Sequence, residues 1–236
     1  MPLLTSLCSV VAYLKFITSF DQQKRPQYFY WLILSAIFLG MSAASKYIYS
    51  IVGFPILFHF ILWMIKKKYR TKVITYIFAW GMLSIVVFTV CNPYLWLHPI
   101  ERLTESLLFH VSYSSSVSVT QFDFPFWQPL KWFTAPIASL YPSTPSAFIF
   151  KCDLLITIFA LLGLPKLFQK YRLYFMWLII GIGILLIWPT KWPQYTQIII
   201  VPYCLSAAMG ISTLINLGKN LFLRYNRSIH KTRGAS

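Results

Sequence analysis

Runs of 16 to 20 residues with almost no charge, separated by short basic clusters, constrain this chain more than any other feature. Such a run has no polar face to turn toward water. As a helix of roughly 17–20 residues it measures about 25–30 Å, close to the thickness of a bilayer's hydrocarbon core. Composition agrees: 58% of residues are hydrophobic and 11% charged, where soluble domains carry about a quarter charged residues. The sequence predicts an all-α, polytopic transmembrane bundle of about seven spans, near 3–20, 28–44, 48–65, 73–91, 148–164, 173–188 and 198–217. The first run has no basic segment before it, which argues against a cleaved signal peptide.

The net charge of +16 would suggest nucleic acid if it lay in a separate basic domain. Instead it is divided among the connections, so contact with membrane lipids is expected and nucleic acid is not. Fifteen of the 21 Lys and Arg lie in 21–27, 66–72, 165–173 and 217–236. The other side has only Lys46, Arg102, Lys131, Lys151 and Lys191, although its loops are longer, together with four acids, Glu101, Glu105, Asp123 and Asp153. By the positive-inside rule the basic tail, 218–236, is cytoplasmic and residue 1 is outer or luminal, in a bacterial plasma membrane or the endoplasmic reticulum.

One long connection, 92–147, lies on the outer side. After Asn92-Pro93, the apolar positions Ile100, Leu103, Leu107, Leu108 and Val111 recur at helical spacing, with Glu101, Arg102 and Glu105 opposite. Pro99 suits a first turn, so an amphipathic helix along the interface is predicted. The cysteines Cys8, Cys91, Cys152 and Cys204 form no CxxC or His-linked cluster. They read as packing residues, with a Cys91–Cys152 bridge as the alternative.

No phosphate loop, GxGxxG, HExxH or nucleophile elbow is present. Polar and aromatic residues gather instead at the outer ends of the spans. Chemistry on a lipid-linked substrate would need a cation for the phosphate, aromatic walls and a carboxylate base there. Gly40-Met-Ser-Ala-Ala-Ser-Lys-Tyr47, Asn92-Pro-Tyr-Leu-Trp-Leu-His-Pro-Ile-Glu-Arg102 with Ser106-Leu-Leu-Phe-His110, Trp127-Gln-Pro-Leu-Lys-Trp132 and Lys191-Trp-Pro-Gln-Tyr195 leading to Pro202 occur in that order. Together they resemble the GT-C superfamily of membrane glycosyltransferases, in its phospholipid-carrier-dependent, protein O-mannosyltransferase-like branch.

The resemblance implies transfer of a sugar, of hexosyl or mannosyl type, from a polyprenyl-phosphate-linked donor on the outer face. It also implies that the chain corresponds to the C-terminal portion of such an enzyme, lacking the N-terminal loop that bears the family's acidic residue. A complete transferase would then be a candidate partner subunit.

Lys46 and Lys191 are the expected carrier-phosphate ligands, each with interfacial snorkelling as the alternative. Asp123 is a candidate base or substrate contact. Tyr47, Tyr94, Trp96, His98, Arg102, His110 and Tyr195 are candidate substrate contacts; for Tyr94 and Trp96 an aromatic belt is the competing role. Trp127 and Trp132 have the same two readings. Glu101 and Glu105 read as the solvated face of the interfacial helix. No cofactor is evident, and no carboxylate cluster is present to hold the divalent metal that such enzymes often use. The rival reading is a non-catalytic membrane protein: an accessory subunit, a transporter-like protein or a truncated remnant.

Overall fold

The computed structural model describes residues 1–66, 70–134 and 153–233. The described residues form ten α-helices and no strand: α1 (Pro2–Asp21), α2 (Arg25–Ser45), α3 (Gly53–Lys66), α4 (Arg70–Val90), α5 (Pro99–Ser114), α6 (Val117–Thr120), α7 (Gln128–Lys131), α8 (Asp153–Lys170), α9 (Arg172–Ile187) and α10 (Ile200–Arg233). Short 3₁₀ segments cover Tyr47–Val52, Pro93–Leu95 and Pro193–Ile199. Among the described residues, five helical segments are long and apolar enough to cross a membrane: Pro2–Asp21, Arg25–Ser45, Tyr47–Ile65, Thr71–Val90 and Pro193–Leu223.

These five correspond to the first four expected spans and the last. The expected sixth span is α9, whose 16 residues give roughly 24 Å of helix, short of a full crossing without help from neighbouring segments. The start of the expected fifth span, 148–152, lies outside the described residues, as do 135–147 of the outer connection and Cys152.

Two boundaries differ from expectation. Pro165 lies inside α8, where a turn was predicted. A proline removes one backbone donor, but the helix continues through it to Lys170. The polar, basic sequence after residue 217 continues α10 as far as Arg233 rather than forming a separate tail. Lys, Arg and Leu are good helix formers, so loss of apolarity there does not end the helix.

The chain divides into two compact units, Met1–Pro129 with Met176–Val201, and Leu130–Phe175 with Pro202–Ser236. In the first, α1 packs along α2, and α2 along α4. Serines join these helices where lipid offers no hydrogen bonds. Ser6 Oγ lies 2.7 Å from Ser42 Oγ, Ser9 donates to the Ser35 carbonyl at 2.8 Å, and the Trp80 indole donates to Ser35 Oγ at 3.1 Å. Gly40 permits the α2–α4 approach, since a Cβ there would come within 2.6 Å of the Ser84 carbonyl oxygen.

Toward the α1–α2 turn the packing becomes aromatic: Phe16, Phe20, Tyr28, Phe60, Trp63 and Tyr76 meet largely edge to face. In the second unit, α8 and α10 meet backbone to backbone. A Cβ on Gly163 would collide with the Ser206 carbonyl, and one on Gly210 with that of Phe159. Ser206 Oγ donates to the Ala160 carbonyl at 2.6 Å across the same contact.

Candidate functional site

The polar connections of the first unit build two neighbouring clefts that share the segment from Trp188 to Tyr195. The first forms where α2 stops. Lys46 adopts an extended conformation between α2 and the 3₁₀ turn that follows, so the helix breaks at the predicted junction. The cleft has a volume of about 310 Å³ and is lined by Lys46, Tyr47, Asn92, Trp188 and Tyr195 with the backbone around Ala44 and Ile48. The Lys46 ammonium lies 4.9 Å from the centre of the Tyr195 ring, a cation–π contact. Tyr195 meets Trp188 edge to face, with centroids 6.1 Å apart. Asn92 Nδ2 points at the Tyr47 hydroxyl, 3.5 Å away, and Tyr49 donates to Gln197 Oε1 at 3.0 Å, joining the two 3₁₀ turns beneath.

Among the described residues the Lys46 ammonium has no hydrogen-bond or ion-pair partner, its ring contact apart. Partial burial disfavours its charged form and holds the ammonium below the usual lysine range. An anion entering the cleft would favour the charged form.

Lys191 is different. Its ammonium donates to the carbonyls of Leu185, Leu186 and Trp188 at 3.0, 2.8 and 2.5 Å. An ammonium has three protons, and all three are committed to the unsatisfied carbonyls at the end of α9. The side chain is buried, and desolvation lowers its pKa as well. Lys191 therefore fastens the returning chain to α9 and has no donor left for the phosphate it was expected to hold. Beside it, the buried Thr190 hydroxyl has no hydrogen-bond partner among the described residues.

The second cleft, about 200 Å³, is lined by Ser114, Val119, Thr120, Phe122, Asp123, Phe124, Pro189, Lys191 and Trp192. Asp123 has a φ of +40°, a left-handed conformation that Asp tolerates better than most residues, and its side chain is exposed.

The remaining candidates form a group of their own around α5. Arg102 donates to the Tyr94 carbonyl at 2.7 Å and stacks over its ring at 4.9 Å, while the Tyr94 hydroxyl donates to Glu105 at 3.2 Å. His98 lies 3.7 Å from Glu101, and the Trp96 indole donates to the Thr89 carbonyl at 2.9 Å. These contacts secure the start of α5. The helix is amphipathic as predicted, and Ile100, Leu107, Leu108 and Val111 are all exposed. The His110 side chain lies outside the described residues. No three His, Cys, Asp or Glu side chains gather among the described residues.

The structure thus brings Lys46, Tyr47 and Tyr195 together and adds Asn92 and Trp188. Asn92's sequence signals were its place before Pro93 and at the head of the motif that runs to Arg102. No known family, curated protein or solved structure matches the chain.

Proposed function

We propose that the chain is part of a membrane glycosyltransferase, working on the outer or luminal face, and that the Lys46 cleft receives the phosphate of a polyprenyl-phosphate-linked sugar. The observation that carries this reading is a single uncommitted cation, walled by Tyr47, Trp188 and Tyr195, at the end of helices long enough to cross a membrane. An ammonium in such a setting suits a phosphate ester whose chain stays in lipid. The aromatic walls suit the sugar or the first isoprene units.

In the reaction, an acceptor hydroxyl would attack the anomeric carbon, its proton passing to a phosphate oxygen of the departing carrier. The bond from that carbon to the phosphate oxygen would break, and the lipid phosphate would leave with the electron pair and the charge that Lys46 stabilises. The ordered motifs that resemble the GT-C superfamily support the same class. The basic clusters at 66–72 and 217–236 support an arrangement with this cleft outside, the C-terminus in the cytoplasm, and about seven spans.

The full chain, reconstituted in nanodiscs, is expected to bind polyprenyl phosphate, and Lys46→Ala is expected to weaken that binding at least tenfold while still inserting. Equal binding by the variant would overturn the reading. A second reading has one observation in its favour: among the described residues, no carboxylate lines the Lys46 cleft. On that reading the chain is a non-catalytic accessory that holds the carrier for a partner subunit. Sugar transfer by the purified chain alone separates the two.

A further inference from the structure

The second cleft differs chemically from the first. Its hydroxyls have already spent their protons: Ser114 donates to the Val111 carbonyl at 2.5 Å and Thr120 to the Ser116 carbonyl at 3.1 Å. What they offer the cleft is lone pairs. The Lys191 ammonium in the lining is saturated by three carbonyls. The Asp123 carboxylate accepts no hydrogen bond and pairs with no cation among the described residues. Apart from the Trp192 indole N–H, the polar side-chain groups of this cleft accept rather than donate, and they suit a ligand rich in donors. A phosphate, which needs several donors and is repelled by a carboxylate, fits poorly.

The walls are aromatic and form a corner. Phe122 and Phe124 stack with centroids 5.4 Å apart and planes 14° apart. Trp192 meets Phe122 edge to face at 5.6 Å and 75°. Asp123, between the two phenylalanines in sequence, has a left-handed backbone and lines the same cleft. Apolar faces beside hydrogen-bond acceptors are what a pyranose ring matches, with C–H groups on its faces and hydroxyl donors around its edge. The volume, about 200 Å³, falls below the usual range for drug-sized ligands and suits a single ring.

We infer that this cleft binds one sugar ring, the carbohydrate portion of the acceptor, with Asp123 accepting hydrogen bonds from its hydroxyls and the Phe122–Trp192 corner packing against its face. The inference rests on the transferase reading for the acceptor role, whereas sugar binding itself can be tested apart from it. The nearest competing ligand is a quaternary ammonium, which an aromatic corner with a carboxylate could also hold. It would leave the two hydroxyl acceptors unused.

The test is saturation-transfer NMR on the full chain in phosphatidylglycerol nanodiscs, free of sugar detergents, with methyl glucoside and choline as probes. Methyl glucoside should bind. Asp123→Gly, which keeps the positive φ accessible, should weaken it at least tenfold, and Trp192→Leu should do so as well. Absence of glucoside binding to the wild type, equal binding by both cleft variants, or binding of choline alone would overturn the inference. Polyprenyl phosphate binding by the same wild-type sample keeps the two proposals distinguishable. Phosphate without glucoside removes only this inference, and glucoside without phosphate removes only the donor reading.

Discussion

Lys46 and Lys191 look alike in sequence: each is a lone cation next to aromatics, where apolar helices end. In the structure they have opposite roles. Lys191 gives every ammonium proton to the carbonyls closing α9, whereas the Lys46 ammonium, among the described residues, meets a tyrosine ring and no hydrogen-bond acceptor. A lysine near a membrane surface is available to a ligand only if the fold has left its donors unspent. That depends on where the backbone turns, which composition does not report.

Breaking the Lys191 side of the contrast should have the largest effect. Lys191→Met keeps much of the stem but strips one buried and two half-buried carbonyls of a charged donor. Hydrogen bonds to charged groups contribute about 1.5–3 kcal/mol each, and lost partners leave desolvated acceptors. A destabilisation of about 3 kcal/mol or more is expected, read as a lower unfolding midpoint of the reconstituted chain. The folded fraction should still bind polyprenyl phosphate. Wild-type stability for this variant would mean that the three carbonyls do not depend on Lys191.

Lys46→Ala should show the reverse. Its side chain is partly exposed and its ammonium, among the described residues, meets the Tyr195 ring, so stability should change by no more than about 1 kcal/mol, the scale of an exposed cation–π pair. Carrier binding should fall tenfold or more, equivalent to about 1.4 kcal/mol. A variant that lost stability and binding together would make Lys46 a structural residue like its counterpart.

Much of this architecture is legible in the sequence. The basic clusters and Asn92-Pro93 mark where α1 to α4 begin and end, because charge and proline are local signals. The break at Lys46 and the amphipathic α5 follow from short-range pattern as well. What escaped was the path of the chain between elements. The capping role of Lys191 requires the chain to fold back across Trp188 onto its own helix end. Asn92 joins the site only because the end of α4 comes beside Tyr47, residues far apart in the chain. The extent of α10 was missed for another reason: apolarity ended near residue 217, and helix propensity did not.

Acidity offers a finer comparison. In the free protein Lys46 titrates below the ordinary lysine range because burial disfavours its charged form. Phosphate requires that charged form. As pH rises through the lowered pKa the free protein loses its proton, and binding must then recapture it. The affinity for polyprenyl phosphate should therefore fall with rising pH, by about twofold at the pKa itself and about tenfold per unit beyond it, starting earlier than for a fully exposed lysine. Lys46→Arg stays charged throughout and should flatten the profile. A wild-type affinity independent of pH across the same interval would mean that charge at Lys46 does not govern binding.

The smallest expected effect lies in the ring beside Lys46. Tyr195 is buried and holds the ammonium at 4.9 Å; its own position depends on the 3₁₀ turn Pro193–Ile199 and on the edge-to-face contact with Trp188. Tyr195→Leu preserves apolar bulk but removes the ring's negative face. A partly exposed cation–π pair contributes about 0.5–1 kcal/mol, and much of that passes to the phosphate once the anion arrives. The variant should weaken carrier binding by about two- to fivefold. If the ring instead competes with the phosphate for the ammonium, affinity would rise, and a titration of polyprenyl phosphate against both proteins distinguishes a wall that orients Lys46 from one that restrains it.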